Sequence, residues 1–379
     1  MTPVLTEERT VAKINVVAGT QEDSQVLKVA GERYVSLDAY RGFIMLMLVS
    51  HAFGLNALRD QPGWHWLATQ FEHVEWEGLV FWDLIQPAFM FMVGMAMPFA
   101  FANRTAKGDS GGRIFRHVTW RGLMLIVLSQ VLIDISGGKL QFQLINVLCQ
   151  IAFTYFFTFL ILRLPIRFQV LTAFLLLAGH WALFALFPGP EGAFSKTGNI
   201  GGRIDLAILG YNYSGFYVTI NFITSTVTTL LGAWTALFLM RKNPHATNLK
   251  VILLSSAFCF ASGLALSLFN PMVKRLWTSS FTLYSAGWVF LLLAAFYWLV
   301  EVQGWRKPMF PLLILGMNSI FVYSVSMVLY GWLDRAVGVF SGRFTSAGMF
   351  SPVLQATAVL LVMWYLCYWL YKRRIFLRI

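Results

Sequence analysis

The chain has few charges. Only 12% of its 379 residues are Asp, Glu, Lys or Arg, against roughly 25% in soluble globular domains. With 58% of the residues hydrophobic, this excludes a soluble protein, because no aqueous core of this size hides that much apolar surface. Cysteine is scarce as well. Cys149, Cys259 and Cys367 each fall inside an apolar run without metal-ligand spacing, so they read as small buried hydrophobes and no metal is expected. There is no HExxH, P-loop, CxxC or GxSxG motif. No GxxxG pattern is strong enough to argue helix dimerisation. No repeat relates the two halves, which weakens a transporter built on inverted repeats. The opening "MTPVLTEERTVAKINVVAGTQEDSQVLKVAGER" lacks the basic start, apolar centre and small-residue cleavage site of a signal peptide. Residues 1–33 are expected to be a cytoplasmic tail, and the first span to act as its own insertion signal.

What the sequence has is apolar runs of about 20 residues, the length that crosses a bilayer as a helix. Ten are legible, at 39–58, 79–102, 118–136, 143–162, 168–187, 217–240, 250–269, 280–301, 309–330 and 352–371. The expectation is an all-α, polytopic integral membrane bundle of about 10 transmembrane helices, 11 at most. One transmembrane domain would occupy residues 34–379. The connectors alternate in character. "NRTAKGDSGGRIFRH", "RLPIR", "RKNPHATNLK", "QGWRKP" and "YKRRIFLRI" are basic, and most are short. Those between them, such as 59–78 and 188–216, are longer, aromatic and Gly-rich. About 21 of the 29 Lys and Arg fall with the first set and the N-terminal tail, and about 8 with the second. Both termini are therefore expected in the cytoplasm. The formal net charge of +12 is a topology signal, and with no basic soluble domain it does not imply nucleic acid.

Ionisable groups inside spans are costly, so each is a candidate for function. Asp38 and Arg41, three residues apart, share a helix face at the cytoplasmic edge, either as a neutralised anchor or as part of a site. His51 lies near the far end of the same span, beside Ser50. The stretch "FEHVEWEGLVFWDLIQPAFMFMVG" (71–94) sets His73 before the second span, with Glu77 four residues on and Asp83 two turns deeper. A carboxylate beside an imidazole fixes its tautomer and raises its basicity. Asp134, Gln143, Asn146, Gln150, Asn221 and Asn318 are lesser candidates, because amides within spans usually bond across helices. Polar groups thus converge from both faces, a pattern that suits a transmembrane enzyme and a transporter or flippase equally well. A scaffold without catalysis would have no need of His73.

The stretches "RYVSLDAYRGF" and "EHVEWEGLVFWDLIQPAFMFMVG" resemble the start of the heparan-α-glucosaminide N-acetyltransferase family. There an Asp-x-x-Arg-Gly element precedes a His…Trp-x-Gly…Asp-Leu…Pro…Phe…Gly segment. The likeness continues in order through "WRGLMLIVL", "INVLCQIAFTYF", "VKRLWTSSFTLYSAG", "LGMNSIFVYS" and "YKRRIFLRI". The resemblance implies a membrane acyltransferase that takes acetyl from cytoplasmic acetyl-CoA and passes it to a sugar or glycan on the extracytoplasmic side. It places the active-site histidine on His73. The accompanying asparagine of the animal enzyme aligns near Ser50 or His51. A Gln-Arg pair of the family becomes Gln150-Ile151, which removes a cation near the donor's path. These departures fit a divergent bacterial branch in the inner membrane, and relatives of the family form homodimers. On this reading His73 is a general base, with an acetyl-histidine step as the alternative. Glu77 or Asp83 orients it, and Asn318, Ser50 or His51 donates to the oxyanion. Arg41, Asp38, Arg116, Arg121, Lys107 and Gln150 serve the donor.

Overall fold

The computed structural model describes residues 34–213 and 215–377, so the expected tail at 1–33 lies outside the described residues. Among them there is no β-strand beyond two isolated bridges, Glu77 with Val273 and Gly189 with Gly192. The first half runs α1 (Val35–Val49), a 3-10 stretch (His51–Leu58), the short α2 (His65–Gln70) and a 3-10 turn (Phe81–Leu84) leading into α3 (Ile85–Ala106). There follow α4 (Gly111–Gly137), α5 (Val147–Ile161), α6 (Ile166–Leu186) and α7 (Ile200–Leu209). The second half comprises α8 (Phe222–Leu239), α9 (His245–Ser267), α10 (Ser279–Tyr297), α11 (Phe310–Met317), α12 (Ser319–Ser341) and α13 (Ser351–Lys372).

Local chemistry sets these boundaries. Ser110, Asn146 and Asn199 cap α4, α5 and α7, each side chain accepting from a backbone N–H of the first turn. Gly138 and Gly210 close α4 and α7 in the left-handed conformation. Pro165 and Pro244 stand immediately before α6 and α9.

Seven helical runs are long and apolar enough to cross a membrane, or eight if the bent pair formed by α1 and His51–Leu58 counts as one span. The chain is thus a polytopic helical membrane protein, with fewer uninterrupted spans than the ten apolar runs suggested. Three interruptions account for the difference. The run at 143–162 yields α5, whose 15 residues extend about 22 Å at 1.5 Å each, short of a hydrocarbon core near 30 Å. The run at 39–58 bends by 52° after Ser50, where His51, Ala52 and Phe53 all take positive φ. The run at 309–330 breaks at Asn318 into α11 and α12. In the other direction, the apolar run Ser319–Lys372 is two helices. It folds back through 342–350, so that Gln355 of α13 donates to the Asp334 carbonyl of α12 at 2.7 Å.

Helices α3 and α8 form the centre. A Cβ on Gly94 would lie 1.8 Å from the Thr229 carbonyl oxygen, and one on Gly232 would lie 2.0 Å from that of Phe91. The two backbones therefore touch, which only glycine permits. Tyr40, Phe91, Phe290 and Tyr297 fill the core around them. Helices α6 and α9 lie outside and expose Phe174, Leu175, Leu254 and Phe258, as lipid-facing helices do.

Candidate functional site

The link between α2 and α3 carries His73 and is tied down along its length. Trp76 Nε1 donates to the Phe194 carbonyl at 2.8 Å, and Lys196 pairs with Glu75 at 3.2 Å. The Gly78 N–H donates to the Met272 carbonyl at 2.8 Å. The helical run begins only at Phe81, so Asp83 falls in its first turn. There the carboxylate reaches back to accept from the Val80 and Val74 N–H groups, each at 3.4 Å, and gains from the positive end of the helix.

Asp83 Oδ1 stands 2.7 Å from His73 Nδ1 and 3.1 Å from Lys274 Nζ, and Lys274 Nζ is 3.3 Å from His73 Nδ1. An ionised carboxylate only accepts hydrogen bonds. Nδ1 therefore carries the proton and donates to Asp83, and the Nε2 lone pair is left open. Asp83 and Lys274 are buried, with side chains 1% and 5% exposed, whereas the imidazole is 48% exposed. A buried ion pair thus backs a ring that meets the outside. The pocket in front of it, lined by Val74, Trp76, Phe216, Tyr217 and Arg275 besides the three, measures about 20 Å³, room for one water.

From that pocket a polar seam enters the bundle. Tyr217 Oη donates to Gln86 Oε1 at 3.3 Å, Gln86 Nε2 donates to Gln150 Oε1, and Gln150 Nε2 donates to Ser225 Oγ at 3.0 Å. Gln150, Thr154 and Thr158 recur every fourth residue of α5, and Asn221, immediately before α8, continues the same spacing into Ser225 and Thr229 of α8. All six are buried. Thr158 Oγ1, Thr228 Oγ1 and Asn221 Nδ2 have no partner among the described residues, although buried polar groups ordinarily find one. The α5 stripe ends near a basic cluster. Arg104 and Arg113 both grip Asp109 at 2.9 Å, holding its carboxyl below the usual range, chiefly through the Arg113 hydrogen bond. Lys107 and Arg116 are exposed beside them, and the Arg121 guanidinium lies 5.0 Å from the centre of the Tyr155 ring.

Other residues singled out from the sequence lie apart from the His73 cluster. Glu77 is exposed, its backbone bridged to Val273, and no helix face joins it to His73. Ser50, just past the end of α1, donates back to the Met47 carbonyl at 2.8 Å. His51 Nε2 meets Ser326 Oγ at 3.0 Å, and its ring stacks on Tyr330. Asn318 clamps the C-terminal segment, donating to the Ile375 carbonyl and accepting from the Leu377 N–H. Asp38 and Arg41 form an i,i+3 ion pair at 2.8 Å. Lys274 was not singled out. The hint was a lysine followed by an arginine in "NPMVKRLW", an otherwise apolar connector.

The fold and the site together define a multi-pass membrane protein with a half-exposed histidine set on a buried aspartate–lysine pair. No protein-family model matches the chain. It is 25% identical over 421 aligned residues to human heparan-alpha-glucosaminide N-acetyltransferase and 24% identical over 426 to the mouse protein of that name, in each case across 92% of this chain. These are distant relatives, and the chain spans only 60% and 61% of their lengths.

Proposed function

We propose that the protein is a membrane acetyltransferase that moves an acetyl group from cytoplasmic acetyl-CoA to an amine or hydroxyl of a sugar on the opposite face. The observation that carries this reading is the 2.7 Å contact of His73 Nδ1 with Asp83, itself bonded to Lys274. The two distant relatives are acetyltransferases by name, which favours acyl transfer over transport. A bacterial inner membrane suits the chain's divergence from them.

A thioester supplies an already activated acyl group, so the protein has to deprotonate the acceptor and hold it in place. His73 Nε2 accepts the acceptor's proton as the acceptor nitrogen or oxygen bonds to the acetyl carbon. The C–S bond breaks, and His73 returns the proton to the departing thiolate. With a neutral imidazole the trio carries no net charge. Once Nε2 is protonated, the carboxylate at 2.7 Å faces an imidazolium and stabilises it. Lys274 acts through Asp83 as a positioning residue. Ser50 and Asn318 are committed elsewhere in the fold, and neither is assigned to the oxyanion.

Lys107, Arg116 and Arg121 suit the donor's phosphates. The hydroxyls of Thr158 and Thr228 and the Asn221 amide, without partners among the described residues, offer hydrogen bonds to a polar arm passing along the seam toward Gln150. This arrangement requires the basic cluster on the cytoplasmic side and His73 on the other. We assign both termini to the cytoplasm, with α5 and the broken helices completing ten crossing segments. The test is thiol release from acetyl-CoA by purified protein in the presence of glucosamine, with wild type beside His73→Ala. Loss of about 10²- to 10⁴-fold is expected. Turnover surviving intact in the variant overturns the base assignment, and absence of acetyl-CoA binding favours a transporter.

A further inference from the structure

A second basic cluster is built where α13 ends, from cations that the donor reading does not use. The helix closes at Lys372, and Arg373 and Arg374 follow. The Arg374 N–H donates to the Tyr371 carbonyl at 3.0 Å, and the Ile375 N–H to the Leu370 carbonyl at 2.9 Å. These two bonds make a Schellman closure, which puts the residue after the cap in the left-handed conformation. Glycine usually takes that position, because a Cβ is crowded there. Here it is Arg374, with φ of 57°. The turn accepts a steric cost and keeps a cation.

The chain beyond the turn is fixed as well. Asn318, buried at the break between α11 and α12, donates to the Ile375 carbonyl at 3.3 Å and accepts from the Leu377 N–H at 3.1 Å. One side-chain amide thus grips the backbone on both sides of Phe376. Phe310, the first residue of α11, sets its ring 5.8 Å from that of Tyr371 and 6.4 Å from that of Tyr368. The contact brings Lys307, three residues before it, to the same end of the bundle as Lys372. Lys307, Lys372, Arg373 and Arg374 are exposed, and among the described residues no carboxylate pairs with them. The neighbouring carboxylate, Glu301, is taken by Arg306 at 3.7 Å and by the Ser36 N–H at 2.9 Å. The Lys372 ammonium lies 4.9 Å from the centre of the Tyr368 ring, and the Arg373 guanidinium 5.7 Å from that of Trp369. Trp369 and Tyr365 are themselves exposed. Exposed Trp and Tyr next to cations at the end of an apolar helix mark the depth of lipid headgroups.

We propose that this end of the bundle is a binding site for a phospholipid of net negative charge. Lys307, Lys372, Arg373 and Arg374 hold its headgroup phosphate, and its acyl chains lie along the exposed Tyr365 and Trp369 of α13. Ammonium and guanidinium groups without a carboxylate suit a phosphate. A soluble phosphate or nucleotide would make no use of the aromatic face beside them, and an acyl chain does. The Asn318 clamp and the left-handed Arg374 hold the cations in one arrangement, which distinguishes a site from a merely basic loop. The inference is independent of the acyl-transfer reading.

The experiment measures retention of labelled phosphatidylglycerol by the purified full chain in detergent micelles, in competition with phosphatidylcholine. Wild type is expected to prefer the anionic lipid roughly 10- to 100-fold, about fivefold for each cation engaged. The variant Lys372→Gln/Arg373→Gln/Arg374→Gln changes exposed side chains only and should lose about tenfold or more of that preference. Arg163→Gln/Arg167→Gln, on the basic connector between α5 and α6, should keep it. Asn318→Ala leaves every cation in place but releases the segment, and should also lose preference. If that variant fails to fold, the triple variant decides alone. Near-parity of the two lipids in wild type overturns the site. An equal loss in the triple variant and the α5–α6 control overturns it too, since any basic loop would then serve. Full preference in folded Asn318→Ala reduces the cluster to unspecific charge and overturns the built site. Displacement of the lipid by CoA would assign these cations to the donor's phosphates and overturn the lipid as occupant.

Discussion

Removing Lys274 and Asp83 singly and together tests whether they form one buried unit. Lys274→Met leaves a carboxylate with a 1% exposed side chain, held among the described residues by His73 and two long N–H contacts at 3.4 Å. Asp83→Asn leaves an ammonium whose side chain is 5% exposed, with no anion beside it among the described residues. Breaking a buried pair from one side costs about 3–5 kcal/mol, most of it for the charge left behind. The double variant Asp83→Asn/Lys274→Met leaves neither charge, so it should be more stable than either single. A coupling of roughly 2–3 kcal/mol is expected, at the upper end for residues in contact. The assay is reversible unfolding in mixed micelles by titration with sodium dodecyl sulfate, followed through the chain's 14 tryptophans. Acyl transfer should not recover in the double variant, because His73 still lacks its carboxylate. Single costs that simply add in the double variant would refute the buried unit.

Three further outcomes follow from the same geometry. Gln150→Leu strands the Gln86 amide and interrupts the seam, and should weaken acetyl-CoA binding about tenfold by calorimetry, the scale of one lost buried hydrogen bond of about 1.4 kcal/mol; unchanged binding would remove the seam from the donor's path. Gly94→Val forces α3 from α8, where a Cβ would lie 1.8 Å from the Thr229 carbonyl oxygen, and should cost about 3 kcal/mol, the top of the usual range for core overpacking; the same denaturant titration reads it. Asp205, buried outside the candidate spans, has its carboxyl pushed up by burial despite accepting from Thr219. A raised carboxyl costs stability above its ordinary value, so wild type should gain stability as pH falls from the raised value toward the ordinary one. Asp205→Asn should remove that pH dependence, and a slope unchanged in the variant would contradict it.

The helices were legible because apolar runs of span length have few other readings in a chain this poor in charge. The interruptions were not, because Ser50 and Asn318 are single polar residues that a 20-residue average absorbs. His73 and Asp83 were both legible as groups too polar for their setting. Their pairing was legible only as one of two alternatives, Glu77 or Asp83 orienting the imidazole, since a spacing of ten matches no helical repeat. Glu77 sits at the helical spacing, but its backbone bridges to Val273 and the next N–H, of Gly78, donates to the Met272 carbonyl, so no helix forms there. Lys274 comes from about 190 positions further along (Asp83 to Lys274 separation 191), and only the packing of that connector against the His73 link brings it in. The threonine-rich start of α8 read as an ordinary span. Its polar face acquires meaning only beside Gln150 of α5.

The most direct test of the central claim uses sealed proteoliposomes with radiolabelled acetyl-CoA outside and glucosamine trapped inside. The account predicts labelled N-acetylglucosamine within the vesicles, with CoA remaining outside, and loss of the signal in His73→Ala. Glucosamine leaving unacetylated, or label reaching it equally well without His73, would contradict it.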